Sequence, residues 1–232
     1  MIPRVFLEQD LILGQKITIS DKSSHYLIDV LRCKIGQEVI LINGKDGEFF
    51  GEIEKITHKK IDILLKEKTR EFYKQNFLGL IFAPIQKLDI LVKSATELGV
   101  TDFLPIKTDY TTHPKIDRIL PNVIEAVEQC ERLDLPCIHK LSALKEVLDS
   151  IKDDAHILFC EERSGLKSIK EISGIDGKKI YCLVGAEGGF SESEKTLIRS
   201  YQNVISISLG NLILRSETAT ISILTLAKTL SF

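Results

Sequence analysis

From residue 77 onward, short apolar runs rich in β-branched residues alternate with segments of helical periodicity. This alternation constrains the fold more tightly than anything else in the chain. It predicts strands at 77–83, 102–106, 156–160, 179–184 and 204–209, and helices at 86–98, 116–132, 142–151, 191–201 and 214–230. Helix 86–98 shows the pattern: Leu88, Leu91, Val92, Ala95 and Leu98 share one face, and Gly99 stops the helix. Parallel strands joined by helical crossovers need cover on both faces, so an α/β domain with a parallel sheet flanked by helices is expected.

The first 70 residues read differently. Strands are expected at 11–19 (broken by Gly14), 38–42, 48–53 and 60–65, with the turn Asn43-Gly44-Lys45-Asp46-Gly47 marking a hairpin. One helix, 23–32, starts at a Ser23 or Ser24 cap and carries Tyr26, Leu27, Val30 and Leu31 at helical spacing. Short strands about ten residues apart predict a small β-barrel. Residues 66–76 contain no Leu, Ile or Val, which places a linker at 71–76 between a domain at 1–70 and a second at 77–232.

Composition narrows the functional classes. With 44% hydrophobic residues, 232 residues can bury a core in one or two domains. The 31 basic and 33 acidic residues exclude a polybasic tail but permit a local patch on the folded surface. The cysteines (Cys33, Cys130, Cys137, Cys160, Cys182) are odd in number and include no C-x-x-C pair, which argues against a disulfide framework or a zinc motif. His113, His139 and His156 have no metal-ligand spacing. The N-terminus, Met1-Ile2-Pro3-Arg4, lacks a basic region followed by an apolar core, so no signal peptide is expected, and no run of 18 apolar residues occurs. A soluble cytoplasmic protein is expected.

Two glycine-bearing turns hold the chemistry. Gly185-Ala186-Glu187-Gly188-Gly189 follows strand 179–184, and Leu209-Gly210 follows strand 204–209. A strand, a tight glycine turn and a helix present backbone N–H and C=O groups to a ligand at the carboxyl edge of a sheet. Two such turns close together can form one pocket. The first is neither a P-loop, lacking Gly-Lys-Ser/Thr, nor a G-x-G-x-x-G fingerprint, and taken alone it reads equally well as a plain connection. Ser191 and Glu194 form a capping-box signature. Arg215 and Glu217 flank Ser216 inside an apolar run, where charges cost free energy unless paired or solvated. They are either an ion pair at a helix start or a helix N-terminus facing a polar ligand.

Residues 183–189, together with Leu209-Gly210-x-x-Ile213-Leu214-Arg215-x-Glu217-Thr218-Ala219, resemble the RsmE family of SPOUT methyltransferases, which methylate uridine N3 in 16S ribosomal RNA. The resemblance spans the chain. Its earlier parts are Arg4-Val5-Phe6, His25-Tyr26-Leu27 with Val30-Leu31-Arg32, Gly36, Lys93-Ser94-Ala95-Thr96-Glu97-Leu98-Gly99-Val100, and Glu125-Ala126-Val127-Glu128-Gln129 with Arg132 and Pro136. It implies a PUA-like β-barrel followed by a SPOUT α/β domain with a C-terminal trefoil knot. It also implies bound S-adenosylmethionine, a homodimer whose partner subunit completes the substrate site, and 16S ribosomal RNA as substrate, within the assembled small subunit.

By the same resemblance, Leu183, Gly185, Glu187, Gly188, Leu209, Gly210, Leu214, Thr218 and Ala219 line the cofactor pocket. Arg215 is the candidate for stabilising charge on the uracil, and Glu217 or Glu187 for accepting or orienting the proton. Candidate RNA contacts are Arg4, His25, Arg32, Lys34, Lys87, Lys93 and Arg132, although His25 also reads as packed at its helix start. Methyl transfer from a sulfonium needs no metal. The chain departs from the family at Ala186 (more usually proline), Ser216 (more usually threonine) and Thr108-Asp109-Tyr110-Thr111, where an arginine is typical. Two other readings are a noncatalytic RNA-binding protein and a SPOUT methyltransferase acting on another RNA.

Overall fold

Asn43 closes the N-terminal hairpin with its own side chain: Oδ1 accepts hydrogen bonds from the backbone N–H of Lys45 (3.1 Å) and of Asp46 (2.8 Å). Gly47 ends this turn at φ +96°, where a Cβ would also lie 2.3 Å from the Arg70 carbonyl oxygen. The computed structural model describes residues 2–20, 22–111, 116–151, 154–161 and 179–230. It forms two units: Met1–Lys74 with Val127–Leu135, and Gln75–Ala126 with Pro136–Phe232.

The first unit is a five-stranded mixed sheet of β1 (Arg4–Phe6), β2 (Lys16–Ile19), β3 (Glu38–Ile42), β4 (Glu48–Ile56) and β5 (Ile61–Arg70), in the order β1-β3-β4-β5-β2. Only β1 and β3 pair in parallel. Val39, Leu41, Ile53, Ile61 and Ile63 alternate inward and pack on Leu27. Strand β5 runs on through the polar residues 66–70, because Lys68 and Arg70 still pair with Phe49 and Glu48. The expected single helix at 23–32 is α1 (Lys22–His25) continuing into a π-turn, Tyr26–Val30, in which Leu31 N–H donates to the Tyr26 carbonyl. That wider winding breaks the four-residue face. Leu27 alone is buried, whereas Tyr26, Val30, Leu31 and also His25 are exposed, so His25 is not a packed residue.

Two expected RNA contacts are interior ion pairs. Arg4 reaches Glu48 and Glu131, and its side chain is only 8% exposed. Arg132 makes a two-pronged pair with Asp134 (Nε–Oδ1 2.7 Å, Nη2–Oδ2 2.9 Å), both residues being buried. A guanidinium in such a pair is committed to its carboxylate. The segment 127–135 belongs with the first unit through bonds such as Phe6 N–H to Glu128 Oε1 (2.8 Å). No single cut of the chain could have produced that division.

The second unit is a parallel sheet in the order β12-β10-β11-β6-β7-β8, with β9 also pairing with β7. Its strands are β6 (Leu78–Phe82), β7 (Asp102–Lys107), β8 (Cys137–Ile138), β9 (Ser142–Ala143), β10 (Ala155–Cys160), β11 (Lys179–Val184) and β12 (Val204–Ile207). Its helices are α2 (Leu88–Glu97), α3 (Ile119–Gln129, of which the residues from Val127 on fall in the first unit), α4 (Leu144–Ser150), α5 (Glu192–Arg199) and α6 (Ser216–Leu230). Register lines up Phe159, Leu183, Ile81 and Leu104 on one face, where they pack with Leu144, Leu148 and Ile198 of α4 and α5. The alternate row, Leu158, Cys182, Leu80 and Phe103, turns to the other face, and α6 crosses β10 and β11 with α2 against it. Tyr181 lies across Gly79, where a Cβ would come within 2.2 Å of its ring. Among the described residues no helix is long and apolar enough to cross a membrane.

The Arg4–Glu48 pair yields a stability test. Burial alone would raise the Glu48 carboxyl, but hydrogen bonds from Arg4 and Thr69 outweigh it and hold the group below its usual range. A depressed folded-state pKa contributes stability above the unfolded value of about 4.3 and loses it as pH falls through the folded value. Arg4→Met should cost about 3 kcal/mol in urea unfolding, because Arg70 still reaches Glu48 at 3.2 Å. The acid limb of the stability curve should also move to higher pH. An unchanged limb would show that Arg4 does not govern Glu48.

Candidate active site

Because the strands of the second unit are parallel, Phe82, Cys160, Val184 and Ile207 all end at one edge of the sheet. The turn after β11 tightens there through a bond from Gly189 N–H to the Ala186 carbonyl (2.9 Å), with Gly189 at φ +70°. Ala186 contributes its carbonyl to that bond, which a proline could do equally. Phe190 folds back against Gly185, where a Cβ would come within 2.9 Å of its ring, and stacks edge-on with Phe159 at 5.5 Å between centroids. After β12, Gly210 takes φ +118° and its N–H donates to Ser208 Oγ (3.2 Å).

One hydrogen bond ties the two turns together. The hydroxyl of buried Ser216, at the start of α6, donates to the Gly185 carbonyl at 2.7 Å. Between the turns lies a cavity of about 490 Å³, within the range of about 300–1,000 Å³ usual for small-ligand sites. Gly185, Glu187, Gly188, Leu209, Gly210, Leu214 and Ala219 line it, as do Arg215 and Glu217. Two expected residues do not. Leu183 points into the core under α4 and α5, because its register position faces that way. Thr218 lies on the exposed side of α6, rotated away from Glu217 and Ala219.

Other walls were absent from the sequence reading. Gln86 and Lys87 come from the loop after β6, Phe159, Cys160 and Glu161 from the end of β10, and Lys195 from α5. The available signal is the acidic pair Glu161-Glu162 directly after strand 156–160, but only parallel pairing of β10 with β11 and β12 brings the end of that strand to this edge. Burial pushes the Cys160 thiol up, so it contributes apolar surface to the wall and no thiolate.

The charges of the site are mostly spoken for. Glu187 Oε1 accepts the Gln86 backbone N–H (2.8 Å), Lys87 Nζ lies 3.3 Å from Glu217 Oε1, and buried Glu161 is paired with Arg199. Arg215 is the exception: its exposed guanidinium has no hydrogen bond or ion pair among the described residues. Of the remaining RNA candidates, Lys93 pairs with Glu125 and His25 Nδ1 with Asp29 (2.5 Å). Arg32 and Lys34 are exposed, without an ion pair among the described residues.

The expected capping box is present, with Ser191 N–H donating to Glu194 Oε2 (2.9 Å) and Glu194 N–H to Ser191 Oγ (3.3 Å). Asp109 docks on it, accepting from Ser191 Oγ at 2.6 Å. Neighbouring Tyr110 rests against Gly188, where a Cβ would lie 3.1 Å from the tyrosine. The stretch 108–111 therefore shapes the first turn instead of supplying a cation. His113 lies outside the described residues.

Comparison with known proteins agrees with this geometry. Residues 73–228 match the model of an RNA methyltransferase domain, and residues 19–66 that of an RNA methyltransferase PUA domain. The chain is 36% identical to the ribosomal RNA small subunit methyltransferase E of Rickettsia conorii, over 94% of this chain and 92% of that one. It is 30% identical to the protein of the same name from Buchnera aphidicola, over 97% and 94%. Its fold superposes on a Neisseria gonorrhoeae ribosomal RNA small subunit methyltransferase E, crystallised with S-adenosyl methionine, at a TM-score of 0.89 and 24% identity, covering 100% of this chain and 98% of that one.

The Ser216 bond can be tested directly. Ser216→Ala strips the Gly185 carbonyl of its donor and should cost about 1–3 kcal/mol in chemical unfolding. Ser216→Thr keeps the hydroxyl and should stay near the parent. Equal stability of all three proteins would refute the tie.

Proposed function

The chain belongs to the RsmE family of RNA methyltransferases, and from that premise we propose that it transfers a methyl group from S-adenosylmethionine to N3 of a uridine in 16S ribosomal RNA of the small subunit. The observation that carries this reading is the single cavity enclosed by both glycine turns.

The cavity suits the cofactor. A Cβ at Gly189 or Gly210 would meet no atom within 4 Å, so both backbones face open space. The walls combine apolar side chains (Phe159, Leu209, Leu214) with the glycines Gly185, Gly188 and Gly210 of the two turns. Gly185, Gly188, Leu209, Gly210, Leu214 and Ala219 would hold the cofactor, which supplies an electrophilic methyl group on a sulfonium. The N. gonorrhoeae relative, crystallised with that compound, supports the same choice.

The target uridine must be unpaired or turned out of its stack, at a cost of a few kcal/mol, before N3 can reach the methyl. Loss of the N3 proton leaves negative charge shared with the uracil carbonyls. Arg215, at the cavity wall and without a partner among the described residues, is the cation available to stabilise it. Glu187 uses Oε1 to accept the Gln86 N–H, which leaves Oε2 to receive the proton. Glu217, ion-paired with Lys87, orients that lysine at the rim. In the first unit, Arg32 and Lys34 are the candidate phosphate contacts. The enzyme acts as a cytoplasmic homodimer in this reading. Leu212 and Ile213, 81% and 56% exposed beside the cavity, are surface that a second copy would cover.

Arg215→Ala separates catalysis from binding. With labelled S-adenosylmethionine and small subunits from a strain lacking the enzyme, its kcat should fall about 100-fold or more. Cofactor affinity by calorimetry should stay close to that of the parent. Normal turnover at saturating RNA would remove the electrostatic role. If the unsubstituted protein failed to bind the cofactor even at millimolar concentration, a noncatalytic RNA-binding protein would be the better reading.

A further inference from the structure

A second constellation sits at the opposite, amino-terminal edge of the parallel sheet. Asp102 opens β7 and Cys137 opens β8, and the two are registered directly across from each other in neighbouring strands. The ladder is fixed on both sides: Cys137 N–H donates to the Thr101 carbonyl (2.8 Å) and His139 N–H to the Phe103 carbonyl (2.9 Å). His139 directly follows β8 and keeps the ladder through its bond to Phe103, so it stays two residues on from Cys137, on the same side and beside Asp102. Its Nε2 lies 3.1 Å from Asp102 Oδ1. One donor atom from each of the three residues lies within 4.8 Å of the other two.

We propose that Asp102, Cys137 and His139 form a binding site for zinc or a similar divalent transition metal, with three protein ligands and a fourth position open to water. The donor set is thiolate, imidazole and carboxylate, which zinc accepts together in tetrahedral geometry. Bonds of about 2.0–2.3 Å place tetrahedral donors roughly 3.3–3.8 Å apart, so modest side-chain rotations close the present spacing. His139 and Cys137 are exposed and Asp102 is partly so, which leaves the approach open from solvent. On binding, the thiol proton leaves to water as the metal–sulfur bond forms.

The consequence is mechanical. Strand β8 is only two residues long and pairs with β7 alone among the described strands. A metal held from both strands clamps that edge. No ligand spacing is visible in the sequence around His139, because Asp102 lies far away in the chain and arrives only through strand pairing.

The whole protein is titrated with Co²⁺ as a spectroscopic probe and with Zn²⁺ by calorimetry. One equivalent per chain is expected, with a thiolate-to-cobalt charge-transfer band. Cys137→Ser should abolish the band, and His139→Ala should weaken Zn²⁺ binding about 100-fold. Zinc should raise Tm in the parent and leave a Cys137→Ser/His139→Ala double variant unmoved. Circular dichroism of the metal-free variants verifies that they fold. The proposal is overturned if stoichiometric binding is absent. It is equally overturned if the band survives in Cys137→Ser, which would assign the thiolate to another cysteine.

Discussion

The hydrogen bond from Ser216 to the Gly185 carbonyl joins two chain segments separated by 31 positions, and both residues line the cavity. Each glycine turn alone is a common way to leave a strand. Joined, they border a volume lined by glycine turns, apolar side chains and a few charged groups, the mixture that recognises a small amphipathic molecule. The parallel sheet makes the bond attainable, since β11 and β12 both flank β10 and deliver their turns to the same edge.

Charge is distributed in keeping with that design. Arg4 with Glu48 and Arg132 with Asp134 are interior pairs whose partners offset the cost of burial. Around the cavity, Glu161, Glu187 and Glu217 each have a partner, while the Arg215 guanidinium has none among the described residues. Removing Arg215 therefore leaves no described carboxylate stranded. That sets it apart from Arg4 and Arg132, whose loss would strand Glu48 and Asp134 and unsettle the fold before it touched the chemistry.

Local pattern was a good guide where neighbours in sequence decide structure. Strand Lys179–Val184, the Asn43–Gly47 turn, the Ser191–Glu194 capping box and the core face of α2 all depend on residues a few positions apart. The same reasoning misplaced Tyr26, Val30 and Leu31, because π-winding rotates a face that α-helical spacing would have buried. Sequence alone also marks Arg4 and Arg132 as candidate RNA contacts, since a positive charge in the sequence carries no mark of the carboxylate that claims it in the fold.

Periodicity, turn chemistry and the ordered family motifs were enough by themselves to determine an α/β unit behind a strand-rich one, two glycine turns at a carboxyl edge, and membership in a family of RNA methyltransferases. Tertiary structure alone decided that Phe159, Cys160 and Glu161 complete the cavity, that Leu183 and Thr218 stay outside it, and that Asp102 meets Cys137 and His139. The physical reason is common to these cases. Pairing register and side-chain direction are set by contacts between segments far apart in the chain, and no local pattern encodes them.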